Sequence, residues 1–200
     1  MAYREEYMFK KFKTREIVIT GLLLALEFIL QILGNYMQVG PANINLSLIP
    51  VILAAVLAGP ISGAILGFFN GVITFFSPST IALFMPVSLL GTVITVMLKV
   101  TLGGFIAGLA FNLLKKKNQT LALIVASLIV PLVNTGLFIV GSLIFFIPLL
   151  ESFVGPNYPN IYAVLFFGFI YINFFIEVGT SVVLAPVLGN ILLKREQRTA

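Results

Sequence analysis

Apolar residues run along this chain in long, nearly unbroken stretches, and the polar positions between them recur at intervals that suit membrane-crossing helices. Ile17 to Tyr36 is about twenty residues, enough at about 1.5 Å per residue to cross an apolar slab of about 30 Å. A polar, turn-rich segment from Gly34 to Ile44, with Gly40-Pro41 and three amide side chains, follows as a loop. The second apolar stretch, Asn45 to Ala58, is short and contains Pro50, so its helix must tilt, thin the bilayer or be buried among its neighbours. Gly59-Pro60 is a tight turn into a third helix ending at Phe76, and Ser77-Pro78-Ser79-Thr80 breaks the pattern again. Leu83 to Leu114 is a fourth helix with a weak point at Gly103-Gly104, and Lys115 to Asn118 closes it. Leu121 to Ile147, with Pro131 inside, is the fifth. A loop from Pro148 to Asn160 carries Glu151, and Ile161 to Leu193 is the sixth helix. The expectation is an all-α integral membrane protein of six transmembrane helices.

Two stripes of small residues stand out. Gly59, Gly63, Gly67 and Gly71 recur every four residues, so they share one face of the third helix and permit close approach of another backbone. Internal helix packing is the expected use. Gly21 and Ala25 form a similar pair on the first helix, suited either to internal packing or to a partner protein.

Charge adds orientation. Arg4, Lys10, Lys11, Lys13 and Arg15 open the chain, Lys115 to Lys117 form a middle cluster, and Lys194, Arg195 and Arg198 close it, leaving Lys99 as the one basic residue of the twelve inside an apolar run. The positive-inside tendency places all three clusters in the cytoplasm, and with them both termini. The apolar fraction of 60%, the charged fraction of 10% and a mean hydropathy of +1.11 exclude a soluble domain. The chain reads as a single membrane domain over residues 1–200, with residues 1–15 as a cytoplasmic interfacial segment, 16–193 as the bundle and 194–200 as a cytoplasmic tail. Tyr3, Tyr7, Met8, Phe9 and Phe12 suggest a short interfacial helix, and the opening residues are too charged for a cleaved signal. The pI near 9.6 does not point to nucleic acid, because the basic residues sit at apolar boundaries where orientation and lipid headgroups account for them.

Candidate chemistry is narrowed by what is missing. With no Cys, His or Asp, the chain cannot build a Ser/His hydrolase, an aspartyl dyad, a disulfide or a Cys- or His-ligated metal site. A charged side chain at the bilayer centre costs about 2.5 to 3.5 kcal/mol, so Glu27, Lys99 and Glu177 require a purpose. Asn173 lies one helical turn before Glu177, and Gln31 one turn after Glu27. With Asn134-Thr135 beyond Pro131 and Asn70 in the third helix, polar groups from five helices are expected at similar depth, as around a pocket for a small polar solute. The plainer reading is a Lys99–Glu pair with amides joining helices. Two glutamates against one lysine leave one negative charge over if all are ionised. No Gly-x-x-x-x-Gly-Lys-[Ser/Thr] loop for ATP and no duplicated halves are present, so a solute-binding protein of this kind works passively or borrows its energy.

The chain resembles the substrate-binding membrane subunits, or S components, of energy-coupling factor (ECF) transporters. The matching features are the six-span plan, Gly21-x-x-x-Ala25, the short second helix and the run from Leu57 through Gly59-Pro60-Ile61-Ser62-Gly63 to Gly71. The segment Pro131-Leu-Val-Asn-Thr-Gly-Leu-Phe138 looks most like the pantothenate-type branch. The resemblance implies a vitamin captured from outside by helices four to six beneath the loops Gly34 to Ile44, with Asn43, and Ser77 to Thr80. It implies release by toppling in the membrane of a prokaryotic cell. It also implies partnership with a transmembrane coupling protein and two cytoplasmic ATPases that hold ATP and Mg, so that this chain is a transport subunit with no cofactor or catalytic residue of its own. Gly21 and Ala25 match the family's small-residue docking motif, with Gly in place of its usual first Ala. On side-chain chemistry, Lys99 is expected to meet a carboxylate, and Asn134 and Asn173 an amide and hydroxyls, with Thr135, Glu177, Asn70 and Asn43 as further binding candidates. The alternative is a self-sufficient proton-coupled transporter using Glu27 or Glu177.

Overall fold

A computed structural model describes residues 14–35, 38–39, 42–43 and 45–199. In chain order these form α1 (Thr14–Asn35), the strands β1 (Gln38–Val39) and β2 (Ala42–Asn43), α2 (Leu48–Leu57), α3 (Pro60–Phe75), a π-helical turn (Thr80–Phe84), α4 (Leu89–Leu114), α5 (Gln119–Phe145), α6 (Ile147–Ser152), α7 (Ile161–Ala163), a π-helical stretch (Val164–Ile170) and α8 (Tyr171–Thr199). Apart from the two-residue antiparallel ladder, which pairs Gln38 with Asn43 and Val39 with Ala42, the described chain is helical. Four helices are long and apolar enough to cross a membrane, Thr14–Gly34, Leu89–Leu114, Gln119–Phe145 and Ile161–Arg195, while Leu48–Leu57 and Pro60–Phe75 are apolar but shorter. The interfacial helix expected around Tyr3 to Phe12 and the Gly40-Pro41 turn lie outside the described residues.

The short second helix is accommodated by burial. Its 10 residues reach only about 15 Å, half a membrane core, and every residue from Leu48 to Val56 is buried against α1, α3, α4, α5 or α8. Pro50 falls in its first turn, where the missing N–H costs nothing. The three residues before it, Asn45 to Ser47, are therefore non-helical backbone held inside the bundle, which an apolar membrane tolerates only where protein surrounds it.

Several boundaries differ from those expected. The fourth helix starts at Leu89, because Pro86 interrupts the chain and Ser88 caps α4 by accepting a 3.1 Å hydrogen bond from the Gly91 N–H. Leu83 and Phe84 belong to the π-helical turn instead. Gly103-Gly104 is no weak point, since α4 runs through it unbroken and its glycines admit neighbours: a Cβ on Gly103 would lie 3.2 Å from the Val130 carbonyl oxygen, and one on Gly104 would strike Gly63. The Pro148–Asn160 segment is partly helical, with Leu149 and Leu150 of α6 buried. The last helix extends to Thr199.

The glycine stripe of α3 packs against α4 as expected for three of its four members. A Cβ on Gly63 would lie 2.6 Å from the Gly104 carbonyl oxygen, one on Gly67 would strike the Val100 carbonyl, and one on Gly71 would lie 2.6 Å from that of Val96. Gly59 serves differently, because its φ of 99° makes the turn ahead of Pro60, a backbone state that a side chain strains.

These contacts also set the ends of the bundle. Pro60 touches the Gly108 region of α4, and Gly189 of α8 approaches Leu123 at the start of α5, so the α2–α3 turn and Lys194–Arg195 lie at the Lys115–Lys117 end. Gln31, late in α1, meets Ser47 and Thr74 at the far end of α2 and α3, which returns Arg15 to the same basic end. The three charge clusters, as far as they are described, thus share one side.

Candidate functional site

Deep in the bundle, α4, α5 and the last helix leave a cavity of about 80 Å³ lined by Lys99, Asn134, Thr135, Phe138, Phe169, Ile170, Asn173, Phe174 and Glu177. Five of the sequence-derived candidates, Lys99, Asn134, Thr135, Asn173 and Glu177, are brought together there. Helical spacing explains part of this: Asn173 and Glu177 are one turn apart on α8, and Asn134 and Phe138 one turn apart on α5. Pro131 and Asn134 are both buried, so the proline turn faces the interior beside the site.

The cavity wall is polar on one side and aromatic on the other. Asn134 donates from Nδ2 to Glu177 Oε2 at 3.1 Å, and Asn173 donates from Nδ2 to the Phe169 carbonyl oxygen at 3.0 Å. The Asn134 and Asn173 Oδ1 atoms are buried and accept nothing from the protein. The Lys99 ammonium lies 5.7 Å from the centre of the Phe138 ring and feels the Glu177 carboxylate electrostatically. One cation, one carboxylate and two open carbonyl acceptors thus converge on a space enclosed by phenyl rings. Such a wall complements a small solute with hydrogen-bond donors and an apolar body.

A phenylalanine cluster covers the cavity. Phe84, on the π-helical turn, packs edge-on against Phe138 at 5.9 Å, Phe146 at 5.1 Å and Phe169 at 6.0 Å between ring centres, and Phe153 packs on Phe169 at 5.8 Å. Strand β2 packs against the Val164–Ile170 stretch that carries Phe169. Pockets for drug-sized ligands usually measure about 300 Å³ or more, so a vitamin-sized solute would have to displace part of this cover. The two π-helical segments flank it, where the looser backbone pattern favours local rearrangement.

The remaining candidates lie elsewhere. Asn70 does not line the cavity: it belongs to a second polar cluster, with Gln31, Asn45, Ser47 and Thr74, between α1, α2 and α3. Asn43 pairs in the hairpin through its backbone, and its side chain lies outside the described residues. The single depth-matched set expected from five helices is therefore two clusters, because the start of α2 fills the space between them. Asn45 belongs to one through its side chain and faces the other through its backbone N–H, which points toward Glu177. Sequence reading missed Asn45 and Ser47, which resemble ordinary loop residues; the signal was their position just before a helix too short to reach the membrane surface. It also missed Phe169 and Phe174.

Gly21 and Ala25 are exposed on the outer face of α1, among Ile17, Val18, Leu22 and Leu26, and a Cβ on Gly21 would meet nothing within 4 Å. Internal packing therefore does not use this pair.

A family model for the substrate-specific component of ECF transporters matches residues 15–189. Comparison with curated proteins and with solved structures gave no match.

Proposed function

The chain belongs to the ECF transporter substrate-specific components, the membrane-embedded substrate-binding subunits of these transporters, and from this premise we propose that it captures a small water-soluble vitamin, pantothenate before others, in the cavity around Lys99. The observation that carries this reading is the composition of the wall. Lys99 supplies the positive charge a carboxylate needs, the open Asn134 and Asn173 Oδ1 atoms accept from hydroxyl or amide N–H groups, and Phe138, Phe169 and Phe174 enclose an apolar centre. A short chain with a carboxylate at one end, an amide in the middle and hydroxyls beyond fits that order of groups. The functional topology we propose has six membrane segments, with α2 and α3 as the two short ones, and both termini in the cytoplasm of a prokaryotic cell, since the basic clusters share one end. Transport then needs a transmembrane coupling protein and two ATPases holding ATP and Mg, on which this subunit topples to release its load.

The deciding experiment is ligand-dependent thermal stabilisation of the purified chain across pantothenate, thiamine precursors, folate and riboflavin. A ligand at a hundredfold excess over its Kd is expected to add about 2.7 kcal/mol of stability. Pantothenate as the one strong hit supports the proposal; another vitamin corrects the substrate, and a folded protein that responds to none overturns the capture role.

The exposed pair on α1 supplies a second prediction. Gly21→Trp or Ala25→Trp should leave vitamin binding by the isolated chain unchanged, because neither position touches the cavity. Each should weaken copurification with the coupling protein by about tenfold or more, equivalent to about 1.4 kcal/mol lost from a close helix–helix approach. Full retention of the complex would remove α1 from the docking surface.

The buried Glu27 and Glu177 keep a proton-coupled transporter as a second reading. Liposomes holding this chain alone separate the two: concentrative uptake under a proton gradient supports the second, and binding without accumulation the first.

A further inference from the structure

The second polar cluster is rich in oxygen and short of protons. Glu27 on α1 is 0% exposed, and neither of its carboxylate oxygens has a hydrogen-bond partner. The Asn70 amide on α3 reaches toward it without completing a bond. One turn along, Ser47 Oγ lies 2.7 Å from Gln31 Oε1 and 2.5 Å from Asn45 Oδ1, while Asn70 Nδ2 donates to that same hydroxyl. A serine hydroxyl has one proton, so it can serve only one of those two carbonyl oxygens, and the other confronts a lone pair. The Asn45 amide directs a donor to Asn70 Oδ1 at 3.4 Å, and the Gln31 amide one to Thr74 at 3.4 Å. No Lys or Arg among the described residues lies in this cluster, because Lys99 faces the other cavity.

We propose that Glu27, Gln31, Asn45, Ser47 and Asn70 form a binding site for a small monovalent cation of the Na+ class. Carboxylate, carbonyl and hydroxyl oxygens are the ligands that hard cations take. Charge selects valence: one carboxylate and neutral partners reach net zero with a single positive charge, whereas a divalent ion would leave an uncompensated charge in the bundle. The same ion resolves the charge count of the membrane interior, with Lys99 opposite Glu177 and the cation opposite Glu27. The N-terminus of α2 directs partial positive charge toward this region but gives Glu27 no N–H, so it does not replace the ion.

The test uses the purified full-length chain without vitamin, so it stands or falls separately from the substrate assignment. Binding of radioactive Na+ is measured at constant ionic strength, with choline as the replacement ion. The expected result is one saturable Na+ per chain, weakened about tenfold or more in Glu27→Gln, as loss of a metal-site group typically does. Absence of saturable binding by the folded wild-type chain overturns the proposal, as does unchanged binding in a folded Glu27→Gln variant. A stability that follows pH and ignores Na+ also overturns it, because a proton then neutralises Glu27. Should Glu27→Gln fail to fold, Ser47→Ala removes one ligand and keeps the carboxylate; it is expected to weaken Na+ binding, and unchanged affinity counts against the site.

Discussion

Replacing Lys99 with Met should abolish vitamin binding while leaving a folded protein. Truncating one partner of a buried, hydrogen-bonded charge pair costs about 2 to 5 kcal/mol, or roughly thirtyfold to several thousandfold in Kd, much of it from the charge left unpaired. Here two charges compete for that description: a carboxylate on the ligand, and Glu177 across the cavity. The double variant Lys99→Met/Glu177→Gln tells them apart by isothermal titration. If Lys99 receives a ligand carboxylate, removing Glu177 as well restores nothing and binding stays lost. If Lys99 serves chiefly to neutralise Glu177, the double variant recovers most of the affinity, and the substrate need carry no negative charge. Met is the apt replacement, because it keeps the unbranched stem against Phe138 while removing the charge.

The second large effect is structural. Gly67→Leu should destabilise the bundle by about 3 kcal/mol or more, at the upper end of the range for overpacking. The cost is high because what the new Cβ meets is backbone: it would strike the Val100 carbonyl and come within 2.7 Å of Thr101 Cα, so α3 and α4 must separate along their whole contact. Total stabilities of domains are about 5 to 15 kcal/mol, so a loss of this size should show as a sharp fall in midpoint or in monodisperse yield. Gly21→Leu is the control, since open space surrounds that position and the same thermal assay should register little change. A tolerant Gly67→Leu variant would mean that the α3–α4 spacing has slack that these contacts do not show.

These contrasts locate what was legible beforehand. The Gly-x-x-x-Gly period of α3 announced a close helix contact, because a four-residue repeat of small side chains leaves one face bare wherever the helix is placed. Which helix fills that face required the fold, and so did the use of Gly21 and Ala25: the same kind of pattern is buried on α3 and exposed on α1. Gly59 continued the period but serves a turn, which only its φ of 99° reveals. The site divided likewise. Asn173 and Glu177 were legible as one face of one helix, whereas Asn70 was grouped with them on depth alone and sits in the other cluster. Asn45 and Ser47 could not be recognised from local pattern, since they matter through a chain reversal inside the bundle.

By itself the sequence determined that this protein lives in a membrane, which segments are helical, and which residues carry charge that is costly in an apolar setting, because those properties follow from composition and from spacing along one chain. The tertiary structure decided how those charges are partnered. Lys99 and Glu177 face one cavity across three helices, Glu27 stands apart among amides and a serine, and both arrangements depend on a ten-residue helix, α2, whose burial on every side divides the interior in two. Contact between groups far apart in the chain is a property of how helices cross, and crossing is settled by which faces can approach, as the backbone contacts of Gly63, Gly67 and Gly71 with α4 make plain.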